Sequence, residues 1–225
     1  MTRIFVLGAT VAIAATSLLL VATASAAPKT VADPIGIGLD GQKVPKPKQK
    51  PKVKASIRRG QLTVLGTAKN DRLTLRLKPG DKSRLQVDVG GNGSAEFTFK
   101  RSAFNRIVVH GASGADALSI NESNGVFTGS EATSLFGDTG NDLLRGSSGA
   151  ERLFGGTGDD TVDGKRGNDV IEGGAGGDRV VFNGSNAAEK FEFSANGNRL
   201  RFVGASTMNI AGVERFDLRA FSGAD

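Results

Sequence analysis

Between residues 137 and 181 the chain repeats itself every nine residues: GDTGNDLLR, GSSGAERLF, GGTGDDTVD, GKRGNDVIE and GGAGGDRVV. Glycine holds the first position (Gly137, Gly146, Gly155, Gly164, Gly173) and the fourth (Gly140, Gly149, Gly158, Gly167, Gly176). An acid holds the sixth (Asp142, Glu151, Asp160, Asp169, Asp178) and an aliphatic the eighth (Leu144, Leu153, Val162, Ile171, Val180). A fixed period makes the repeat itself the structural unit, ahead of any local propensity. Six glycine-rich residues form a turn, and the next three form a short strand with one aliphatic side chain directed inward. One nonapeptide buries too little to stand alone, so the turns must stack and the aliphatics must form a ladder. The acids stack with them and repel one another unless a counter-ion intervenes. A hard divalent cation taking carboxylate and carbonyl oxygens removes that repulsion, and Ca²⁺ has the loose coordination such a site needs. A flexible acidic Gly-rich linker is the bland alternative, but a linker has no reason to keep an aliphatic in register through five cycles.

The array resembles the repeats-in-toxin (RTX) family of bacterial exported proteins, whose nonapeptide is G-G-x-G-x-D-x-U-x. The resemblance implies an all-β fold: a right-handed parallel β-roll or solenoid over 137–181, flanked by β-rich capping regions. Two nonapeptides would complete one turn, with Ca²⁺ between stacked turns on sixth-position acids and turn carbonyls, including those of the first-position glycines. Asp142, Asp160 and Asp178 would line one edge and hold two ions. Glu151 and Asp169 would line the other. There the pattern breaks: Glu151 is one methylene longer, and Lys165 puts an ammonium at the second position of its turn, which makes a third ion doubtful. A site absent from the unfolded chain would couple Ca²⁺ binding to folding.

Fainter copies flank the array. GTAKNDRLT carries Gly66, Asp71 and Leu73 at positions one, six and eight, and GASGADALS carries Gly111, Gly114, Asp116 and Leu118. Single degenerate copies more often mark ordinary Asp/Gly turns than ligands, and that is the expectation for Asp71 and Asp116. The final AFSGAD repeats the layout of GASGAD and stops at Asp225, as if cut inside a repeat.

Arg3, the apolar stretch Ile4 to Val21 and Ala24-Ser25-Ala26 read as a secretory leader over 1–26, cleaved after Ala26. A retained anchor is the rival. No later stretch is apolar enough to span a membrane, so no span is expected after cleavage. Export suits the array, because extracellular Ca²⁺ fills sites with Kd on the order of 10⁻⁴ to 10⁻³ M. The chain has no Cys, so disulfides cannot stabilise it and metal is the available substitute.

Charge is segregated. Residues 1–60 carry ten Lys/Arg against Asp33 and Asp40, a balance of +8 within the net +6 of the chain. Its source is KVPKPKQKPKVK, Lys43 to Lys54, in a Lys/Pro-rich linker placed at 27–60: an extended, solvated tether. A plain spacer is the favoured reading, and binding to an anionic cell-wall polymer the alternative. Without an interleaved aromatic to stack on bases, nucleic acid is not an expected partner.

Residues 61–136 form a β-rich region, with strands expected at Gln61–Leu65, Arg72–Lys78, Arg84–Val89, Ala95–Lys100 and Arg106–Val109. They suggest a half-buried antiparallel sheet or an irregular solenoid cap. A C-terminal cap is expected over 182–225, with strands at Phe191–Phe193, Leu200–Val203 and Val213–Leu218. No segment reads as a long amphipathic helix.

Catalysis finds little support. His110 is the lone histidine, there is no cysteine and no G-x-S-x-G elbow, and the repeat explains acid pairs such as Asp159-Asp160. The expectation is a secreted, non-enzymatic Ca²⁺-binding β-roll. Its rivals are a structural or adhesive surface spacer and the accessory fragment of a larger extracellular hydrolase.

Overall fold

A computed structural model describes residues 52–184, 192–204 and 206–219 of the chain. Residues 1–51 (the expected leader and most of the expected tether), 185–191, 205 and 220–225 lie outside the described residues, and with them the expectations placed on those segments, including the first residue of the strand expected at Phe191–Phe193.

The chain enters through β1 (Lys54–Arg58), which pairs antiparallel with β2 (Gln61–Leu65). It crosses to a second sheet as β3 (Arg72–Lys78), followed there by antiparallel β4 (Asp81–Val89) and β5 (Phe97–Lys100). Each later pass then places one strand in each sheet: β6 (Arg106–His110) and β7 (Ala117–Asn121), β8 (Ala132–Thr139) and β9 (Leu143–Arg145). The array continues as β10 (Glu151–Thr157) and β11 (Thr161–Asp163), then β12 (Asn168–Ala175) and β13 (Arg179–Asn183). A hairpin of β14 (Glu192–Asn196) and β15 (Arg199–Val203) precedes the last pass, β16 (Thr207–Ala211) and β17 (Arg215–Arg219). The described strands form two sheets, ordered β1-β2-β6-β8-β10-β12-β16-β15-β14 and β17-β13-β11-β9-β7-β3-β4-β5. Neighbouring passes pair in parallel throughout. This is an all-β parallel roll.

The core is two facing ladders. In the first sheet Val64, Val109, Leu135, Leu153, Ile171 and Ile210 are in register and buried. In the second the row is Leu73, Leu118, Leu144, Val162 and Val180, ending on the partly buried Phe216. The eighth-position aliphatics therefore alternate between the two sheets, as a two-repeat turn requires. Leu153 is 0% exposed in the middle of its ladder. Leu153→Ala should cost about 2–5 kcal/mol through lost burial and the cavity left behind. Val126→Ala, at a side chain 58% exposed, should stay within about 0.5 kcal/mol. Denaturant midpoints of the two variants test the ladder directly.

Antiparallel strands cover open edges: β1 at the start of the first sheet, β4 and β5 at the start of the second, and β14–β15 at the end of the first. Phe182, Phe193, Phe202 and Phe216 close the far end, with ring centroids 4.8–5.1 Å apart.

The region before the array combines the two arrangements expected of it, an antiparallel sheet and an irregular solenoid cap. The strands β3, β4 and β5 are antiparallel as read, with Leu73, Leu75, Leu77, Leu85 and Val87 inward. β2 and β6, however, are parallel passes of the roll itself, because each leads through a turn ending in an acid to a strand of the opposite sheet. β1, β7 and β8, and β16 after the array, lie outside the strands expected from the sequence. Lys54–Arg58 had counted as the end of the tether, yet Ala55 and Ile57 pack against the core.

Candidate metal centre

The turns leading from the first sheet to the second share one edge of the roll. In order they are Gly66–Asp71, Gly111–Asp116, Gly137–Asp142, Gly155–Asp160, Gly173–Asp178 and a shortened Gly212–Glu214. Their terminal acids form one hydrogen-bonded row. The Asp71 N–H donates to Asp116 Oδ1 (2.6 Å), Asp116 N–H to Asp142 Oδ1 (2.7 Å) and Asp142 N–H to Asp160 Oδ1 (2.8 Å). Asp160 N–H donates to Asp178 Oδ1 (2.9 Å), and Asp178 N–H to Glu214 Oε2 (2.7 Å). The three acids read as the intact edge, Asp142, Asp160 and Asp178, are thus consecutive members, all buried. Each spends Oδ1 on a backbone N–H, while its buried Oδ2 accepts no hydrogen bond from the described residues.

The turn backbone explains the glycines. Positions two and four are left-handed in all three array turns on this edge: Asp138 and Gly140, Gly156 and Gly158, Gly174 and Gly176. The first-position glycines serve a different end. A Cβ on Gly155 would fall between Asp160 Oδ2 and the Gly173 carbonyl oxygen. One on Gly137 would meet Asp142 Oδ2 and the Gly155 carbonyl, and one on Gly173 would meet Asp178 Oδ2 and the Gly212 carbonyl. At each of these glycines a space no side chain can occupy is bounded by a carboxylate oxygen and a carbonyl oxygen of the next turn. Such a donor pair suits a hard, oxygen-seeking cation. No three Asp, Glu, His or Cys side chains converge among the described residues, so backbone carbonyls must complete any shell.

Electrostatics point the same way. Burial raises the Asp160 carboxyl to about 6; the Asp142 N–H offsets this in part, and Asp142, Asp178 and Asp159 push it further up. Asp142 and Asp178 are raised chiefly by burial, with additional repulsion from Asp138 on the first and from Glu214 and Asp159 on the second. The row holds negative charge with which no Lys, Arg or His among the described residues forms an ion pair.

The second edge is poorer. Glu151 and Asp169 are neighbours, with the Glu151 N–H donating to Asp169 Oδ1 (2.9 Å). Register places Thr133 before them and Met208 after, so the acid row ends at two. Ser147 occupies both Glu151 oxygens, its N–H reaching Oε2 (2.9 Å) and its Oγ reaching Oε1 (2.7 Å). In that turn neither Ser147 nor Gly149 is left-handed, although Lys165 and Gly167 of the following turn are. A Cβ on Gly146 would meet the Gly164 carbonyl and Glu151 Oε2, whereas one on Gly164 would meet Asp169 Oδ2 and then Met208 Cε and Ile171 Cδ1. Asp169 therefore faces hydrocarbon where the first edge offers a carbonyl, and burial, with repulsion from Glu151 and Asp163, raises it to about 8.

Three features escaped the sequence reading. Glu214 ends the row after a turn half the usual length. Asp116, read as an ordinary turn residue, is a full member. Fifth-position side chains build a parallel row, Asn141 Oδ1 accepting the Asp159 N–H (3.0 Å) and Asp159 Oδ1 the Gly177 N–H (2.8 Å). His110 stacks on Phe136 at 4.8 Å, with Nδ1 3.0 Å from Asp138 Oδ2.

Stacked parallel passes, left-handed glycine turns and a buried acid row define a β-roll repeat protein with one acidic edge. Residues 127–162 and 154–186 match the family model of the RTX calcium-binding nonapeptide repeat (4 copies). The chain carries RTX-type calcium-binding repeats. No curated protein and no solved structure matches it. No helix among the described residues is long and apolar enough to cross a membrane.

Proposed function

We propose that this is an exported, non-enzymatic protein whose nonapeptide turns bind Ca²⁺ and so fold or rigidify the roll outside the cell. The observation that carries the reading is the row of buried Oδ2 atoms on Asp142, Asp160 and Asp178, each beside a carbonyl of the following turn. These acids and the carbonyls around Gly137, Gly155 and Gly173 hold two ions on the first edge. Glu151, Asp169, Gly146 and Gly164 contribute a weaker place on the second. Bound Ca²⁺ supplies the positive charge that the row otherwise lacks, which relieves repulsion between turns and couples binding to folding. Millimolar extracellular Ca²⁺ suits sites of this kind. Lys43 to Lys54 serves as a plain tether, with binding to an anionic cell-wall polymer as the second reading.

Far-UV circular dichroism during a Ca²⁺ titration, from chelator to ~10 mM to cover weak extracellular sites, tests the proposal. A cooperative gain of β signal with Ca²⁺ and not with Mg²⁺ is the expected result. A spectrum already β-rich in chelator and unmoved by Ca²⁺ overturns metal-coupled folding. It favours a second reading, a rigid surface spacer, which the two uninterrupted aliphatic ladders support.

A further inference from the structure

The acid row does not begin with the array. The turn Gly111–Asp116 lies before the matched residues, which start at 127, and its acid stands 26 residues from Asp142 where the array spacing is 18. Its backbone nevertheless repeats the array turns. Ala112 (φ 82°) and Gly114 (φ 114°) reproduce the left-handed pair formed next door by Asp138 (φ 72°) and Gly140 (φ 128°). The two turns are bound together: Gly114 N–H donates to the Thr139 carbonyl (2.9 Å) and Thr139 N–H to the Ala112 carbonyl (3.1 Å). An alanine held at φ 82° is a conformation that the stacking imposes, since an L side chain gains nothing from it.

The donors are also in place. Asp116 is 2% exposed. Its Oδ1 accepts the Asp71 N–H, and its buried Oδ2 accepts nothing from the described residues. A Cβ on Gly111 would meet that Oδ2 and the Gly137 carbonyl oxygen, the same pair found at Gly137 and Gly155. The next turn out breaks the pattern. Neither Thr67 nor Lys69 is left-handed, and Asp71 Oδ2 already accepts the Thr67 N–H (2.6 Å) and Oγ (2.9 Å).

We infer that the turns Gly111–Asp116 and Gly137–Asp142 together form a further Ca²⁺ site, one pass before the nonapeptide array, with the Asp116 carboxylate and the Gly137 carbonyl among its ligands. The row of sites on this edge then starts at Asp116 and excludes Asp71. The inference rests on the Ca²⁺-binding reading of the array.

The test is Ca²⁺ stoichiometry by equilibrium dialysis on the full chain, comparing wild type with Asp116→Asn and Asp160→Asn. Asparagine keeps an acceptor for the Asp71 N–H and removes the charge. Asp116→Asn should bind one ion fewer per chain than wild type. If it binds as many ions with unchanged affinity while Asp160→Asn binds fewer, the inference falls and the array reading stands. If wild type binds none, both fall. Should Asp116→Asn fail to fold, the carboxyl ¹³C resonance of Asp116 in the wild-type chain reads the site: a shift on Ca²⁺ addition supports it, and an unmoved signal while array carboxyls shift overturns it.

Discussion

Asp160→Ala should lower Ca²⁺ affinity more than any other single acid replacement in the array. Asp160 stands between Asp142 and Asp178, accepts the Asp142 N–H and donates its own N–H to Asp178. Its removal takes the Oδ2 ligand from the space at Gly155 and the Oδ1 acceptor that ties the neighbouring Asp142 turn to it, so a loss on the order of 10–100-fold or more is expected, the range already seen when groups merely supporting a ligand are removed. It also leaves the Asp142 N–H buried without an acceptor, which costs about 1–3 kcal/mol with or without metal. Asp160→Asn separates the two effects, because the amide oxygen can still accept that N–H. Asp169→Ala should cost comparable stability, since Glu151 N–H loses its acceptor. Its effect on Ca²⁺ affinity should be smaller, because Asp169 Oδ2 faces Met208 and Ile171. Titration against a competing chelator measures both variants, and equal affinities would sink the assignment of the two edges.

The second large effect is an inversion of pH dependence by metal. In the metal-free protein Asp116 and Asp160 titrate at about 6 and Asp169 at about 8, and Asp142 and Asp178 are also raised, in every case chiefly by burial. Unfolded aspartate titrates near ~3.9. A carboxyl whose folded pKa is raised contributes stability that is fully present below the unfolded value and lost as pH rises through the folded one. Metal-free roll should therefore lose stability from about pH 4, where unfolded aspartate titrates, to about pH 8, most steeply below about pH 6, where Asp116 and Asp160 contribute together with Asp169. With saturating Ca²⁺ the order reverses, because protons compete for the same oxygens and binding tightens as they leave. The folded fraction read by far-UV circular dichroism at pH 5, 6, 7 and 8, with metal-stripped protein and with ~10 mM Ca²⁺ to fill weak sites, should change in opposed directions. A metal-free folded fraction that climbs from pH 5 to pH 8 would contradict the burial of these carboxyls.

The contrast between the array and its surroundings shows what can be read from sequence and what cannot. Within the array, acids that meet in space are 18 residues apart, twice the visible period. Turn, ladder and edge are consequences of one local rule: glycine where a side chain would strike the neighbouring carbonyl, and an aliphatic where the strand faces the core. The sequence alone therefore determined the all-β roll, the alternation of Leu144, Val162 and Val180 with Leu153 and Ile171, and the two edges of acids. Outside the array the same neighbours lie 45, 26 and 36 residues apart, because β4–β5, the 122–131 loop and β14–β15 are inserted between passes. Degenerate copies of the repeat mark Asp71 and Asp116 in the sequence, but nothing local announces that they, or Glu214, continue the row. Only the tertiary structure decided that the β-rich flank is itself part of the roll and that Asp116 keeps an unspent oxygen where Asp71 does not. It also decided that the second edge ends against Met208. The physical reason is that hydrogen-bond register between stacked passes is a long-range property. Inserted hairpins change the distance along the chain and leave the distance across the sheet unchanged.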